Sequence, residues 1–180
     1  MTANVDVILG IDPGLDGALA FLPVDGSTPW VIDIPTVTVV GSRKKRRHCE
    51  PSVLAAELRA VQRDHSLFAA IESVASRPGQ GAPSTFSLGE TFGMLLGGLA
   101  ALQIPHTKIA PARWKHGMGL PTGADKETSR AMALRLWPSL ASSLARKRDE
   151  GRAEALLLAE TLDMSDAYEA AGVGVEGVRG

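Results

Sequence analysis

The fold of this chain is decided by residues 8–21, which read ILGIDPGLDGALAF. An apolar run leads straight into Asp12, the pair Pro13-Gly14 turns the chain, and a second apolar run follows. Proline and glycine are the strongest turn signals in a sequence, so the pattern predicts strand, tight turn, strand. Asp12 then ends a buried strand, where a charge is costly unless it is paired or binds a metal. On this stretch alone, Asp12 is equally well explained as a turn cap.

The composition is that of an ordinary globular protein. Of the 180 residues, 44% are hydrophobic and 22% are charged, so we expect one domain over residues 1–165 and a frayed tail at 166–180. The single cysteine, Cys49, excludes an internal disulfide and is typical of a reducing compartment. No secretory signal is visible, and the longest apolar segment, 94–102, is too short to span a bilayer. We therefore expect a cytoplasmic protein with no membrane partner.

The charge of the chain is unevenly distributed. Its formal net charge is −1, which by itself argues against binding to a polyanion. However, five cations are consecutive, namely Arg43, Lys44, Lys45, Arg46 and Arg47. A basic surface combined with a compact acidic site is compatible with a polyanion that is bound through metal ions.

The hydrophobic pattern indicates an α/β domain. Three early strands with short connections predict an antiparallel meander, at 6–11, 18–22 and 30–34. Residues 36–50 have no helical period, and we expect a mobile loop there. Helices and strands then alternate, with helices at 51–64, 85–102 and 151–161 and strands at 67–71 and 106–109. This order predicts a mixed five-stranded sheet, an antiparallel three-strand meander plus two parallel strands, flanked by helices.

The predicted helix at 85–102 has a face of small residues, formed by Gly89, Gly93, Gly97 and Gly98. Each glycine costs a helix about 1 kcal/mol relative to alanine. We therefore expect another backbone to approach this face closely and to compensate for that cost.

Acidic residues occur where the predicted strands end. Glu72 follows one apolar strand as Asp12 follows the first, and further acids occur at 149–154. Carboxylate oxygens are the hard ligands that Mg²⁺ prefers. Two such ions about 3.5–4 Å apart can clamp the attacking and leaving oxygens of a phosphoryl displacement. The pattern is therefore typical of a metal-dependent phosphoryl-transfer site, provided that the segments converge.

Several short motifs follow the order found in the RuvC family of Holliday junction resolvases, which has the RNase H-like fold. They are ILGIDPG at 8–14, IE at 71–72, PGQG at 78–81, STFSLG at 84–89, Pro111, WK at 114–115, DK at 125–126 and DEGRAEAL at 149–156. Each motif is weak alone, but the ordered set runs from residue 8 to about 159. The chain resembles this family, and in particular its shorter phage-type and organellar members.

The resemblance implies an active site of carboxylates. Asp12, Glu72 and a pair of acids on the last helix would be the catalytic and metal-binding residues, and Glu154 matches the second acid of that pair. The family's cofactor would be Mg²⁺, two ions for each site, with Mn²⁺ able to substitute. No organic cofactor is implied.

The partner of Glu154 in that pair stays open. The family commonly places this acid three residues earlier, where the chain has Gly151. Other branches place an acid or a histidine four or five residues earlier, which here means Glu150 or Asp149. Residues four apart share a helix face, which supports Glu150 if the helix has begun. We favour Asp149.

The resemblance also implies candidate DNA contacts. Lys126 would be catalytic and touch the phosphate beside the metal ions, and Lys115 would bind the DNA backbone, although each alone reads as a solvated lysine. Arg152 is either a phosphate ligand or an internal partner of Glu72 or Asp149. The remaining candidates are the cationic run 43–47, Gln80 and Phe86. Phe86 is equally well explained as a core residue.

Two other residues near these motifs are expected to be structural. Trp114 is expected to pack in the core rather than to stack on a base. Asp16 is expected to cap the first turn rather than to bind metal.

Together, the residues and the resemblance predict a Mg²⁺-dependent, structure-selective endonuclease, a crossover junction endodeoxyribonuclease of the nucleoid. It would resolve four-way or branched DNA by paired symmetric nicks, which suggests a homodimer. The alternatives are another RNase H-like nuclease, of the RNA/DNA-hybrid or transposase type, and a non-catalytic branched-DNA-binding module. Actin-like ATPases and sugar kinases can begin with a similar turn, but they need two domains and a longer chain.

Overall fold

A mixed five-stranded sheet forms the centre of the protein. The computed structural model describes residues 5–40, 45–76, 79–121 and 125–162, except the side chain of residue 126. The strands of the sheet are β1 (Val7–Ile11), β2 (Ala18–Pro23), β3 (Trp30–Asp33), β6 (Leu67–Glu72) and β7 (His106–Ile109). The sheet has the order β3-β2-β1-β6-β7.

The pairing of these strands confirms the predicted fold class. β2 runs antiparallel to β1 and to β3, which is the predicted meander. β6 runs parallel to β1, and β7 runs parallel to β6. In the register of β1 and β6, Ile11 lies opposite Ile71, so the positions that follow also lie side by side at one edge of the sheet.

Helices cover both faces of the sheet, because alternate strand residues point to opposite faces. Ile8, Ala20 and Phe68 belong to an apolar cluster that includes residues of α3, α4 and α5. Leu9 and Phe21 belong to a second cluster that includes residues of α1 and α2. The helices are α1 (Pro51–Gln62), α2 (Ala82–Ala101), α3 (Pro111–Gly117), α4 (Lys126–Leu136) and α5 (Glu150–Glu160).

The last helix, α5, lies almost in backbone contact with the central strand. A Cβ atom added at Gly10 of β1 would lie 2.0 Å from the carbonyl oxygen of Ala155 and 3.0 Å from Cβ of Ala159. A side chain at position 10 would therefore push α5 away from the sheet. This contact fixes where the residues at the start of α5 lie relative to the end of β1.

The prediction of a loop over residues 36–50 was wrong. Two antiparallel strands occupy most of this segment, β4 (Thr36–Val40) and β5 (Lys45–Cys49), and they form a separate two-stranded sheet. The run Thr-Val-Thr-Val-Val favours a strand because β-branched side chains fit an extended backbone. We call residues 36–40 and 45–49 the basic arm. Arg43 and Lys44 lie outside the described residues.

The expectation that another backbone covers the glycine face of α2 was not met within the described part of the chain. There, a Cβ added at Gly89, Gly93 or Gly97 would meet no other atom within 4 Å. The helix buries the opposite face instead, through Thr91, Leu95 and others. This part of the glycine face is therefore open in a single copy, whereas a Cβ at Gly98 would lie 3.9 Å from Cδ2 of Leu54.

Two further predictions concern membrane-spanning segments and the bounds of the domain. No helix within them is both long and apolar enough to cross a membrane. The segment 166–180 lies outside them, so the domain bounds of 1–165 and the frayed tail stay predictions.

Candidate active site

Two carboxylates lie side by side where parallel strands end. Asp12 directly follows β1 and Glu72 is the last residue of β6, and each is partly exposed. Neighbouring strands are about 4.8 Å apart, so these positions are adjacent at the edge of the sheet. The backbone of Asp12 is held rigidly, because its N–H donates to the carbonyl of Ala18 at 3.1 Å. The fold therefore presents two acids to solvent from rigid strand ends.

The start of α5 lies directly against the turn that carries Asp12. A Cβ added at Gly151 would lie 3.0 Å from Oδ2 of Asp12 and 2.5 Å from the carbonyl oxygen of Asp16. Position 151, where the resemblance places an acid, thus faces the Asp12 carboxylate but has no room for a side chain. The glycine is a structural requirement of this close approach.

Glu154 lies one turn further along α5. Residues three apart share a helix face, so Glu154 lies on the same face as Gly151. Glu154 is only 7% exposed, and its Oε1 lies 3.2 Å from Nζ of Lys115. An ion pair compensates the burial of this carboxylate. Lys115, predicted as a DNA contact, is thus paired with a candidate metal ligand.

The residue before Lys115 holds the other acid. The indole N–H of Trp114 donates to Oε2 of Glu72 at 2.7 Å. Trp114 is 1% exposed, so its prediction as a core residue was right but incomplete. Two consecutive residues of α3 therefore contact two of the candidate catalytic carboxylates.

Asp149 has a different environment from the one predicted for a metal ligand. Its side chain is 2% exposed. The Arg146 guanidinium donates to Oδ1 at 2.8 Å, and the Arg146 backbone N–H donates to Oδ2 at 2.8 Å. Burial raises the pKa of Asp149, but these hydrogen bonds and the Arg146 charge outweigh it and lower the pKa below its usual range. Asp149 thus caps the short 3-10 turn Lys147–Asp149 that precedes α5. Its assignment as the fourth acid stays a prediction.

Arg152 is likewise engaged inside the protein. Its Nε and Nη2 donate to the two carboxylate oxygens of Asp33, at 2.6 and 2.8 Å, and its Nη1 donates to the carbonyl of Ser143 at 3.0 Å. Asp149 lies further away, at 3.9 Å from Nη1. The arginine ties α5 to strand β3, so of the two predicted roles the internal one fits, with a partner that the sequence did not indicate.

Two candidates remain, Glu150 as a metal ligand and Lys126 as a catalytic phosphate contact. Glu150 begins α5 and is partly exposed, whereas the side chain of Lys126 lies outside the described residues. Across the described ranges, no three His, Cys, Asp or Glu side chains lie close enough together to hold a metal ion. Mg²⁺ usually takes only one or two protein carboxylates, with water and substrate oxygens as its other ligands. Asp12 and Glu72 are the donors that fit such a site.

The basic arm lies against the same turn as the start of α5. Nη1 of Arg47 lies 2.5 Å from Oδ1 of Asp16, and its Nη2 donates to the carbonyl of Leu15 at 2.6 Å. Asp16 therefore contacts the arm, in addition to lying in the turn. Lys45 and Arg46 are exposed on β5. Arg47 thus fixes the arm to the turn that follows Asp12.

Two predicted DNA contacts lie at the start of α2. Gln80 is partly buried just before this helix. Phe86 is 75% exposed, which excludes its alternative prediction as a core residue. An exposed aromatic ring near the strand ends is compatible with stacking on an unpaired base.

Comparison with known proteins identifies similar structures but no similar sequence. No family model and no curated protein matches the chain. The chain is similar to RuvC. A structure of T. thermophilus RuvC in complex with a Holliday junction substrate is 17% identical, covers 92% of this chain and 96% of that chain, and has a TM-score of 0.49. Another Thermus thermophilus RuvC structure is 21% identical over 93% and 97% of the two chains, with a TM-score of 0.48.

The assignment of the fold rests on the strand order and pairing described above, which match the predicted RNase H-like sheet. At these identities, no functional role of a RuvC residue is assigned to a residue of this chain. Membership of the phage-type and organellar branch stays a prediction.

Sequence reasoning missed three contacts of this site. They are the hydrogen bond from Trp114 to Glu72, the pairing of Arg152 with Asp33, and the approach of Gly151 to the first turn. The partners are far apart in the chain, and no local pattern specifies them. The only signal was the glycine itself, since a glycine within a strand or helix pattern often marks a close backbone approach.

We predict that Gly151→Asp destabilises the protein, although it restores the acid expected from the resemblance. The new Cβ would lie 2.5 Å from a backbone oxygen that cannot move without shifting the turn. The free energy of unfolding should fall by about 2 kcal/mol or more, as for other overpacked sites, measured by urea denaturation. Gly151→Ala is the matched control and should lose a similar amount. A Gly151→Asp protein as stable as wild type, with tighter Mn²⁺ binding, would contradict this account.

Proposed function

We propose that this protein is a divalent-metal-dependent endonuclease that cuts four-way or branched DNA. The observation that carries the proposal is the pair Asp12 and Glu72 at adjacent strand ends, with Glu154 on the helix packed beside them. The strand order is the one predicted for an RNase H-like nuclease. The chain is also similar to RuvC, of which one structure is a complex with a Holliday junction substrate.

Asp12 and Glu72 would hold the cation, Mg²⁺ or Mn²⁺, and Glu154 would complete the site. When bound, such a cation supplies a Lewis acid that activates water and stabilises the departing oxygen of a phosphodiester; in our proposal there are two ions. The protein contributes rigid placement, because strand ends do not reorganise when the substrate arrives. Lys115 contributes a positive charge next to Glu154.

DNA would bind mainly through its phosphates. The exposed Lys45 and Arg46 lie on an arm that is fixed by Arg47 to the turn after Asp12. Phosphate contacts position DNA without reading its sequence, and they make the affinity dependent on salt. The preference for junctions would come from shape, with the exposed Phe86 available to an unstacked base.

A pair of symmetric cuts requires two active sites, so we propose a homodimer with a twofold axis. The open glycine face of α2 supports this proposal, because a second copy could approach it closely. The face lies on the helix that carries Phe86 and follows Gln80, so a dimer through this face would bring the candidate DNA contacts of the two copies towards each other.

A non-catalytic branched-DNA-binding module is the second candidate. The observation that favours it is the pairing of Glu154 with Lys115, together with the lack of a three-acid group among the described residues. The two candidates differ in one property, because only the nuclease needs a metal ion to act on DNA.

We predict that Asp12→Asn abolishes cleavage of a synthetic four-way junction in Mg²⁺ but leaves junction binding in EDTA unchanged. Loss of a shared metal ligand removes several kcal/mol of transition-state stabilisation, so the rate should fall at least about a hundredfold. Asp64→Asn is the matched control, because this exposed aspartate lies between α1 and β6, at the other end of β6 from Glu72. This variant should cut within about threefold of the wild-type rate. Comparison of the junction with linear duplex and with RNA/DNA hybrid identifies the substrate. A wild type that cuts none of these in Mg²⁺ or Mn²⁺ would support the binding module.

We predict that Arg46→Ala weakens binding to junction and linear duplex by a similar factor. The variant should also lower the slope of log affinity against log salt by about one, since one phosphate contact is lost. Arg59→Ala is the control, because this exposed arginine lies near the end of α1, just before β6 begins, at the opposite edge of the sheet. Equal salt slopes for wild type and Arg46→Ala, by fluorescence anisotropy, would remove the arm from the DNA interface.

A further inference from the structure

Trp114 combines complete burial in the core with a hydrogen bond to a carboxylate. It is among the largest fully buried side chains, within an apolar cluster that includes Leu120 and Ala133. Its one polar atom nevertheless donates to a carboxylate, that of Glu72, at 2.7 Å. A hydrogen bond to an ionised acceptor is about twice as strong as one between neutral groups.

The indole lies at Glu72 because α3 follows the strand that pairs with β6. Ile109, the last residue of β7, lies opposite Glu72 in the register of the parallel strands. α3 begins at Pro111, two residues after the end of that strand, and Trp114 is the fourth residue of the helix. Proline at the first helical position sets the helix without loss of a backbone hydrogen bond. The strand register and the start of α3 therefore fix the position of the indole relative to Glu72.

The same helix reaches the second acid. Nζ of Lys115 lies 5.1 Å from the centre of the Trp114 ring and 3.2 Å from Oε1 of Glu154. The tryptophan thus contacts Glu72 through its N–H. Its ring face contacts the ammonium group of Lys115, which is paired with Glu154. One buried side chain connects the two acids that come from β6 and α5.

We propose that Trp114 is a positioning residue, whose indole N–H holds the Glu72 carboxylate in the orientation in which Glu72 binds a divalent cation. The inference rests on the proposed function, because it assumes that Glu72 is a metal ligand. A partner that orients a ligand in this way is typically worth 10–100-fold in metal affinity.

The test compares Trp114→Phe with Trp30→Phe. Phenylalanine keeps an aromatic ring in the core but removes the N–H donor. Trp30 is the control, because this tryptophan lies on β3 and stacks on Phe21 with 5.0 Å between ring centres, whereas Glu72 accepts its hydrogen bond from Trp114. Mn²⁺ binding is measured by electron paramagnetic resonance without DNA, and thermal unfolding is followed in EDTA.

We expect Trp114→Phe to raise the dissociation constant for Mn²⁺ by about 10–100-fold. Its affinity for junction DNA in EDTA should be unchanged, and Trp30→Phe should bind Mn²⁺ as wild type does. Wild-type Mn²⁺ affinity in Trp114→Phe, or an equal loss in Trp30→Phe, would overturn the inference while the wild type still cuts junctions. A wild type that neither binds Mn²⁺ nor cuts DNA would overturn the proposed function as well.

A second measurement does not depend on the stability of Trp114→Phe. The chain has three tryptophans, so Trp30→Phe combined with Trp137→Phe leaves Trp114 as the single indole. We expect Mg²⁺ to shift the emission of this indole, and we expect Glu72→Gln to abolish the shift. An emission spectrum that does not change at saturating Mg²⁺ would overturn the inference.

Discussion

The structure depends on the contact between α5 and the first hairpin, where two glycines leave no space for a side chain. A Cβ at Gly10 would meet the carbonyl of Ala155 at 2.0 Å, and one at Gly151 would meet the carbonyl of Asp16 at 2.5 Å. The two close contacts involve separate points along α5, at Gly151 and at Ala155, so together they fix the position of the helix as well as its direction. Because Glu154 lies one turn beyond Gly151, it is carried to the ends of the central strands.

Electrostatics adds a second constraint on the same region, because buried carboxylates must be compensated. Glu154 has Lys115, Glu72 has the indole N–H of Trp114, and Asp149 has Arg146. These partners define two kinds of acid. Asp149 is buried and paired with Arg146 in the turn before α5, whereas Glu72 is partly exposed beside Asp12. A divalent cation that reached Glu154 would compete with the ammonium of Lys115.

The sheet and the two strand-end acids could be predicted from sequence, since both follow from local patterns. An apolar run that ends in Asp12 or Glu72 already specifies a strand and the position of its carboxylate. The prediction of a loop at 36–50 was wrong for a different reason. It rested on the positive charges of 43–47, whereas the Thr-Val alternation at 36–40 was the better indicator of a strand. The ion pair of Asp149 with Arg146 could not be predicted, because no periodicity places the Arg146 side chain.

The central claim is that Asp12 and Glu72 hold a divalent cation at the ends of β1 and β6. Anomalous diffraction at the manganese edge, from crystals grown in Mn²⁺, tests this claim most directly. The account predicts a manganese peak within coordination distance of carboxylate oxygens from both residues, about 2.0–2.3 Å. Saturating Mn²⁺ with no peak at this position, or with peaks only at other sites, would contradict it.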